Sequence, residues 1–194
     1  YDQGSSIALD AAGNIYVTGF FSMDSTDFDP GIAAYYLPNP NSGALTYILK
    51  LSPAGNFIWA KELGPGGNNP SSITLDASGN ILVTGIFGGT VDFDPGAGVS
   101  NLTSATSDIY ILKLNASGNF DWAKQIDLNV TQTRSSSIAT DAAENIYITG
   151  LLLGTVDFDP GAGVSNLTAT TIFGGEYILK LDSAGIFDWA KVIN

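Results

Sequence analysis

Short apolar runs separated by turn residues extend along the whole chain, and the same order of runs occurs three times. The runs are rich in β-branched and aromatic residues, which favours strands. In one such run, Phe57 and Trp59 are predicted to share a face because strand side chains alternate with a period of two. No segment combines a helical period with caps, so the chain is predicted to be all-β. The strands predicted in the first unit are residues 6–9, 15–20, 47–51 and 57–61.

Gly-Asn turns join the first and second strands of this unit and also its third and fourth strands, which favours tight hairpins. At the first turn, an Asp is predicted to accept backbone N–H groups, and the residue three positions later is predicted to need positive φ. These turn positions are Asp10 and Gly13, Asp76 and Gly79, and Asp141 and Glu144. Because a side chain at positive φ costs about 1 kcal/mol, Glu144→Gly is predicted to stabilise the protein.

The three units are copies of one repeat, spaced by 63 to 67 residues. Asp-Phe-Asp-Pro-Gly recurs from Asp27, Asp92 and Asp157, and the Tyr-Ile-Leu-Lys-Leu and Trp-Ala-Lys motifs also recur once in each unit. Each unit is therefore predicted to be four antiparallel strands in two hairpins, with an insertion between the second and third strands that adds a short fifth strand at the edge. The predicted units are residues 1–66, 67–132 and 133–194, within one repeat domain.

A four-stranded meander in tandem predicts a β-propeller, in which each sheet is a blade and blades pack face to face. Three blades fall short of the usual 4 to 8. The sequence therefore predicts a partial propeller, completed either by further blades of the same protein or by another copy of the chain as a ring. The alternatives are a β-trefoil or a β-prism, whose repeats are three-fold but usually shorter.

Two motifs add a family resemblance to the predicted β-propeller fold. Residues 73–85 (Ile-Thr-Leu-Asp-Ala-Ser-Gly-Asn-Ile-Leu-Val-Thr-Gly) and residues 111–124 resemble the SBBP-type bacterial β-propeller repeat and, more distantly, NHL-type blades. The Asp-Phe-Asp-Pro-Gly insertion is similar to a sub-branch of that repeat. The resemblance implies a secreted or cell-surface bacterial protein. The sequence begins at Tyr1 and shows no signal peptide, so we expect a segment upstream of it.

Charge and composition narrow the possible partners. The net charge is −12, which disfavours nucleic acid and anionic membranes, and no apolar run is long enough for membrane insertion. Cysteine and histidine are absent, which removes disulfides and the commonest general base. Six of the seven basic residues recur with the repeat, so these lysines are predicted to pair with a repeated Asp and to cover apolar surface with their stems.

Each insertion contains two carboxylates in the pattern Asp-x-Asp-Pro. In an extended segment they would point to one side, about 7 Å apart, which could attract a bridging calcium ion. The other interpretation, which we favour, is a turn in which these carboxylates accept backbone N–H groups. The candidate calcium ligands are Asp27, Asp29, Asp92, Asp94, Asp157 and Asp159.

Positions that depart from the repeat are further candidates for binding or modification sites. In the first insertion, Tyr35 and Tyr36 could bind a glycan or a protein, or could simply pack over an adjacent blade. Asn-x-Ser/Thr sequons occur at Asn101, Asn115, Asn129 and Asn166, and are interpreted as chance matches in a Thr-rich chain. Short matches to a bacterial O-glycosylation motif begin at Asp24 and Asp182.

Catalysis finds little support, because an enzyme site needs different residues converging at one place, whereas here the same carboxylates recur in each unit. The favoured hypothesis is a non-catalytic extracellular scaffold or adhesion module that binds protein or glycan. The alternatives are a structural subunit that assembles into a ring or filament, and a hydrolase or lyase completed by missing blades.

Overall fold

A computed structural model describes residues 2–23, 25–39, 43–64, 66–129 and 132–193. These residues form strands joined by short turns, and within them there is no helix that could span a membrane. The strands are β1 (Gln3–Leu9), β2 (Ile15–Phe21), β3 (Ser25–Asp27), β4 (Tyr36–Pro38), β5 (Leu45–Leu51), β6 (Phe57–Glu62), β7 (Gly67–Leu75), β8 (Ile81–Asp92), β9 (Asn101–Leu114), β10 (Phe120–Ile126), β11 (Arg134–Thr140), β12 (Ile146–Leu152), β13 (Thr155–Asp157), β14 (Asn166–Thr168), β15 (Gly175–Leu181) and β16 (Phe187–Ile193).

The strands form three four-stranded antiparallel sheets, one in each copy of the repeat. Sheet 1 has the order β1-β2-β5-β6, sheet 2 the order β7-β8-β9-β10 and sheet 3 the order β11-β12-β15-β16. The predicted all-β class, with four-stranded antiparallel units, is confirmed. The unit boundaries, which lie between the sheets, stay a prediction.

The insertions do not add a fifth strand to a sheet edge, so that expectation was wrong. In the first and third repeats the insertion pairs with itself as a two-stranded hairpin, β3 with β4 and β13 with β14. In the second repeat the same pairing continues β8 and β9 beyond a register shift between Phe87 and Gly89. The turn after Asp-Phe-Asp-Pro reverses the chain immediately. The backbone groups on its two sides therefore hydrogen-bond to each other and not to a neighbouring strand.

The two faces of each sheet have different neighbours. We call face A the positions of Val17 and Leu49 and their repeats, and face B the positions of Thr18 and Ile48 and their repeats. The residues of face A are Ile7, Ile15, Val17, Leu49 and Leu51 in sheet 1, Ile73, Ile81, Val83, Leu112 and Leu114 in sheet 2, and Ile138, Ile146, Ile148, Leu179 and Leu181 in sheet 3. The residues of face B are Tyr16, Thr18, Ile48, Lys50 and Trp59 in sheet 1, Leu82, Thr84, Ile111, Lys113 and Trp122 in sheet 2, and Tyr147, Thr149, Ile178, Lys180 and Trp189 in sheet 3. The prediction that Phe57 and Trp59 share a face was wrong, because a register shift after Lys50 places Phe57 opposite Leu51 on face A.

One stacking rule applies at both junctions between sheets. Tyr16 and Ile48, on face B of sheet 1, share a buried cluster with the face A residues of sheet 2. Leu82 and Ile111, on face B of sheet 2, share a second cluster with the face A residues of sheet 3. Face B of one sheet therefore always receives face A of the next.

The first strands of the three sheets lie side by side, β1 against β7 and β7 against β11. The backbone N–H of Ile73 donates to Ser6 Oγ at 3.2 Å, and Thr140 Oγ1 donates to the carbonyl of Leu75 at 2.9 Å. The sheets thus converge at their first strands, as blades do around an axis.

Candidate functional site in the turns, insertions and sheet faces

The first hairpin turn of each sheet is built around one carboxylate. Asp10 Oδ1 accepts the backbone N–H groups of Ala12 and Asn14 at 3.0 and 2.8 Å, and its Oδ2 accepts the Asn14 amide at 2.7 Å. Asp76 and Asp141 repeat this pattern with Asn80 and Asn145. The hydrogen bond from the Asn side chain, with smaller contributions from backbone N–H groups, lowers the pKa of Asp10 and Asp141. These carboxylates are thereby held in the turns in their charged form.

The residue three positions after each Asp lies in the left-handed region. Gly13 has φ 82°, Gly79 has φ 78° and Glu144 has φ 63°. Glu144 also accepts a hydrogen bond from the Ser78 hydroxyl of the neighbouring sheet. This contact opposes the backbone cost of a side chain at positive φ.

The repeated lysine on the third strand has a different partner in each sheet. In sheet 2, Lys113 Nζ lies 3.0 Å from Asp76 Oδ2, with both side chains buried, and donates to the carbonyl of Ser183 in sheet 3 at 3.2 Å. In sheet 3, Lys180 pairs with the half-exposed Asp188 at 2.7 Å. In sheet 1, Lys50 Nζ lies 4.8 Å from the ring centre of Tyr16.

A tyrosine that the sequence reasoning did not single out distinguishes sheet 2 from the other two sheets. The hydroxyl of Tyr16 donates to Asp10 at 3.3 Å, and that of Tyr147 donates to Asp141 at 3.0 Å. Sheet 2 has Leu82 at this position, and there the lysine itself reaches the turn carboxylate. The signal was present in the sequence as a Tyr-to-Leu change beside an unchanged Asp and Lys.

The Asp-x-Asp carboxylates organise the insertion turns. Asp27 Oδ1 accepts the N–H groups of Asp29 and Tyr35 at 3.0 and 2.8 Å, and Asp29 Oδ1 accepts that of Gly31 at 2.7 Å. The same bonds recur from Asp92 and Asp94 and from Asp157 and Asp159. Among the described residues no three or more acidic side chains gather into a group that could hold a metal ion. Calcium binding stays a prediction.

The phenylalanine between the two aspartates anchors each insertion to its own sheet. Phe28, Phe93 and Phe158 are buried, and their ring centres lie 4.8, 4.9 and 4.5 Å from Tyr47, Tyr110 and Tyr177. Burial raises the pKa of Tyr110 and Tyr177 well above the ordinary tyrosine value. The Asp-Phe-Asp and Tyr-Ile-Leu-Lys-Leu motifs thus recur together because they contact each other.

The two tyrosines of the first insertion differ in environment. Tyr35 stacks on Phe57 of β6, with 4.7 Å between ring centres, so it packs on its own sheet. Tyr36 is 61% exposed in β4, and Ile32 in the turn beside it is fully exposed. The start of the motif at Asp24, like the Val130 and Thr131 of the Asn129 sequon, lies outside the described residues.

A tryptophan on the fourth strand reaches the next sheet at both junctions. A Cβ placed at Gly118 would stand 3.1 Å from Trp59 Cζ2 and 3.0 Å from Lys61 Cε. A Cβ placed at Gly185 would stand 3.1 Å from Trp122 Cζ2 and 3.2 Å from Lys124 Cε. The repeated Trp-Ala-Lys motif therefore covers the second hairpin turn of the following sheet.

Comparison with known proteins agrees with a repeat fold. No family model matches the chain. The chain is 26% identical over 172 positions to an uncharacterised WD repeat-containing protein of Acanthamoeba polyphaga mimivirus, an alignment that covers 74% of this chain and 12% of that protein. Among solved structures, it is similar to a protein of unknown function from Bacteroides caccae, with a TM-score of 0.33, 12% identity, and coverage of 98% of this chain and 82% of that one.

The all-β sheets and the similarity to a WD repeat-containing protein fit one class of fold. Four-stranded antiparallel sheets in tandem, stacked face to face and converging at their first strands, are β-propeller-like.

Proposed function

We propose that the chain is a non-catalytic, propeller-like scaffold that binds protein partners through its insertions. The observation that carries this proposal is the exposure of apolar side chains on the insertions. Ile32, Val99, Val164, Ile172 and Phe173 are all at least 74% exposed. Exposed apolar groups on loops held by rigid sheets are typical of interaction surfaces.

The similarity to a WD repeat-containing protein supports the propeller-like scaffold in this proposal, because WD repeats form the blades of β-propellers. The carboxylates support a non-catalytic role as well. Each Asp of the turns and insertions accepts backbone N–H groups, and no observation favours the hydrolase or lyase alternative.

The SBBP subtype and an extracellular or cell-surface location are part of this proposal. They rest on the motif resemblance of residues 73–85 and 111–124. Protease treatment of intact cells of the source organism tests the location. The proposal predicts that the protein is cleaved without lysis, and protection until lysis would contradict it.

Affinity capture with a matched variant tests the scaffold function. The purified chain would be compared with Ile32→Ser/Tyr36→Ser, using proteins from the source organism and quantitative mass spectrometry. Ile186→Ser is the control, because Ile186 is equally apolar and 61% exposed but lies in a hairpin turn of sheet 3. We expect partners that are retained by the wild type and the control and reduced at least about tenfold by the double variant. Equal capture by all three, or none above an unrelated bait, would refute the proposal.

Calcium binding at the Asp-x-Asp turns is a second proposal, supported by the chemistry of two carboxylates beside a Pro-Gly turn. A melting curve with added calcium tests it, because a ligand that binds only the folded state raises Tm. Magnesium at the same concentration is the control. An unchanged Tm would refute the proposal.

A structural subunit is the other candidate function. One specific observation favours it: sheets 1 and 3 each present an apolar face on which no other sheet of the described residues packs.

A further inference from the structure

The face A positions of sheet 1 are more exposed than their repeats in sheets 2 and 3. Ile7 is 64% exposed, whereas Ile73 and Ile138 at the same position are 4% and 5% exposed. The other members, from Ile15 to Leu51, are half-buried, while their repeats in sheets 2 and 3 are at most 1% exposed. Sheet 1 therefore presents an apolar face of the kind that its neighbours bury against another sheet.

Face B of sheet 3 is open in the same way. Ile178 is half-buried, whereas Ile48 and Ile111 at the same position are fully buried. This face contains a groove of about 270 Å³ lined by Tyr147, Thr149, Ile178 and Ile193, among others. The groove lies where face A of a following sheet would pack.

The contact between a tryptophan and the second hairpin turn of the following sheet also lacks one partner in sheet 1 and one in sheet 3. No described atom lies within 4 Å of a Cβ placed at Gly55, whereas Gly118 and Gly185 are each covered by a tryptophan of the preceding sheet. Trp189 is the tryptophan of the last sheet. The turn at Gly55 in sheet 1 and Trp189 in sheet 3 are therefore complementary.

We propose that face B of sheet 3 binds face A of sheet 1 of a second copy of this chain, head to tail. This interface continues the one already present twice within the chain, with the same residue types in the same register. Trp189 covers Gly55 of the second copy, and Ser137 accepts the N–H of its Ile7 as Ser6 accepts that of Ile73. The proposal rests on the propeller-like scaffold proposed above, and it concerns the sheet faces rather than the insertions that are proposed to bind protein partners.

Two copies joined in this way contain six sheets, and this number lies within the range of 4 to 8 blades in closed propellers. A head-to-tail contact closes into a ring when the rotation allows it. A closed ring of two copies leaves neither apolar face open to water.

One position weakens the proposed interface. Thr46, Ile109 and Glu176 are equivalent. The backbone N–H of Thr46 donates to Asn68 Oδ1 of the next repeat at 2.6 Å, and Thr46 Oγ1 donates to the Asn68 carbonyl at 3.4 Å, so the side chain at this position lies against residue 68. The residue equivalent to Asn68 in the first repeat is Asp2. Glu176 therefore faces Asp2 of the second copy, and Glu176→Thr is predicted to tighten the association several-fold by removing a like-charge contact.

Analytical ultracentrifugation of the chain and three variants tests the proposal. The wild type is expected at twice the chain mass of 20.2 kDa at high concentration. Ile7→Lys blocks face A and Ile178→Lys blocks face B, so each alone is expected to be monomeric. Ile186→Lys, at a 61% exposed position in a hairpin turn of sheet 3, is the control and is expected to pair like the wild type. Since the chain carries −12, an added lysine does not strengthen general charge repulsion.

Mixing the two blocked variants distinguishes head-to-tail pairing from other contacts. The Ile7→Lys chain keeps its sheet 3 face and the Ile178→Lys chain keeps its sheet 1 face, so the mixture is expected to form a dimer through one intact interface. A monomeric wild type at all concentrations, pairing that survives in either variant, or a mixture that stays monomeric would overturn the proposal. Capture of protein partners by the monomeric Ile7→Lys chain reports on the scaffold function separately.

Discussion

The buried ion pair between Lys113 and Asp76 should make the first turn of sheet 2 the most sensitive of the three equivalent turns. Asp76→Asn keeps an oxygen that can accept the N–H groups of Ser78 and Asn80, as Asn115 does in the second turn of the same sheet. It removes the charge opposite Lys113. The substitution therefore leaves a buried ammonium group with only the Ser183 carbonyl as its hydrogen-bond acceptor in the structure.

We expect Asp76→Asn to lower the free energy of unfolding by about 3 kcal/mol, the lower end of the range for removing one partner of a buried pair. For a chain of this length that corresponds to a Tm decrease of roughly 6 to 12 °C. Asp141→Asn is the matched control, because Asp141 holds the same turn while the lysine of its sheet pairs with Asp188. Its Tm decrease is expected to be a small part of that value.

The pH dependence gives a second readout. Burial alone would raise the pKa of Asp76, but hydrogen bonds from Asn80 and Lys113 outweigh it and lower the pKa below the ordinary 3.8. The stabilisation is therefore present above the ordinary pKa and is lost as the pH falls through the lowered one. The Tm difference between wild type and Asp76→Asn should be full at pH 6 and should shrink below pH 3.8.

Adding Lys113→Met to Asp76→Asn should recover part of the lost stability, because it removes the unpaired buried charge. Thermal melting monitored by circular dichroism measures all four proteins. Equal Tm decreases for Asp76→Asn and Asp141→Asn, or a double variant less stable than Asp76→Asn, would refute the reasoning.

Three further predictions concern repeated positions and are measured at concentrations where the chain is monomeric. Glu144→Gly should raise Tm. The gain in the free energy of unfolding should be less than the backbone cost of about 1 kcal/mol that it removes, because the hydrogen bond from Ser78 of the neighbouring sheet is lost; a lower Tm would contradict this prediction. Gly118→Ala should destabilise more than Gly55→Ala, because both have φ near 79° but only Gly118 meets a tryptophan; equal effects in thermal melts would show that this contact is unimportant. Ile138→Ala should cost about 2–5 kcal/mol in urea unfolding, whereas Ile7→Ala should cost far less; similar costs would mean that the Ile7 face is buried.

Strand positions and sheet composition could be predicted from the sequence because they depend on local signals. The period of two and the turn residues beside Asp10 and Gly13 determine the first hairpin without reference to distant residues. The repeat then extended that prediction to the other two sheets. The stacking of face B on face A was beyond this reasoning, because both faces carry apolar residues and the alternation alone does not say which face meets which neighbour.

The insertions show a second limit. In the sequence, Asp-Phe-Asp indicates a role for its carboxylates, whereas the structure buries Phe93 against Tyr110 and turns the chain back into a hairpin. The same limit applied to Lys113, whose partner depends on whether position 82 holds a leucine or the tyrosine of the other sheets. Contacts between motifs that are far apart in sequence require the fold before they can be assigned.

The central claim, that the two open faces are complementary ends of one stacking rule, can be tested by joining two copies in one chain. Ser6, Ser72 and Ser137 are equivalent positions in the first strands of the three sheets. The tryptophan of one sheet precedes the serine of the next by 13 residues from Trp59 to Ser72 and by 15 from Trp122 to Ser137. Direct fusion would give 11 from Trp189 to Ser6 of the second copy, so a linker of two to four residues restores the natural spacing.

The mass and Tm of this tandem chain are the decisive measurement. The account predicts a monomeric six-sheet protein with a Tm above that of the single chain at low concentration, because both open faces are buried within one molecule. A tandem that melts at the temperature of the single chain, or that associates as readily as the single chain does, would contradict it.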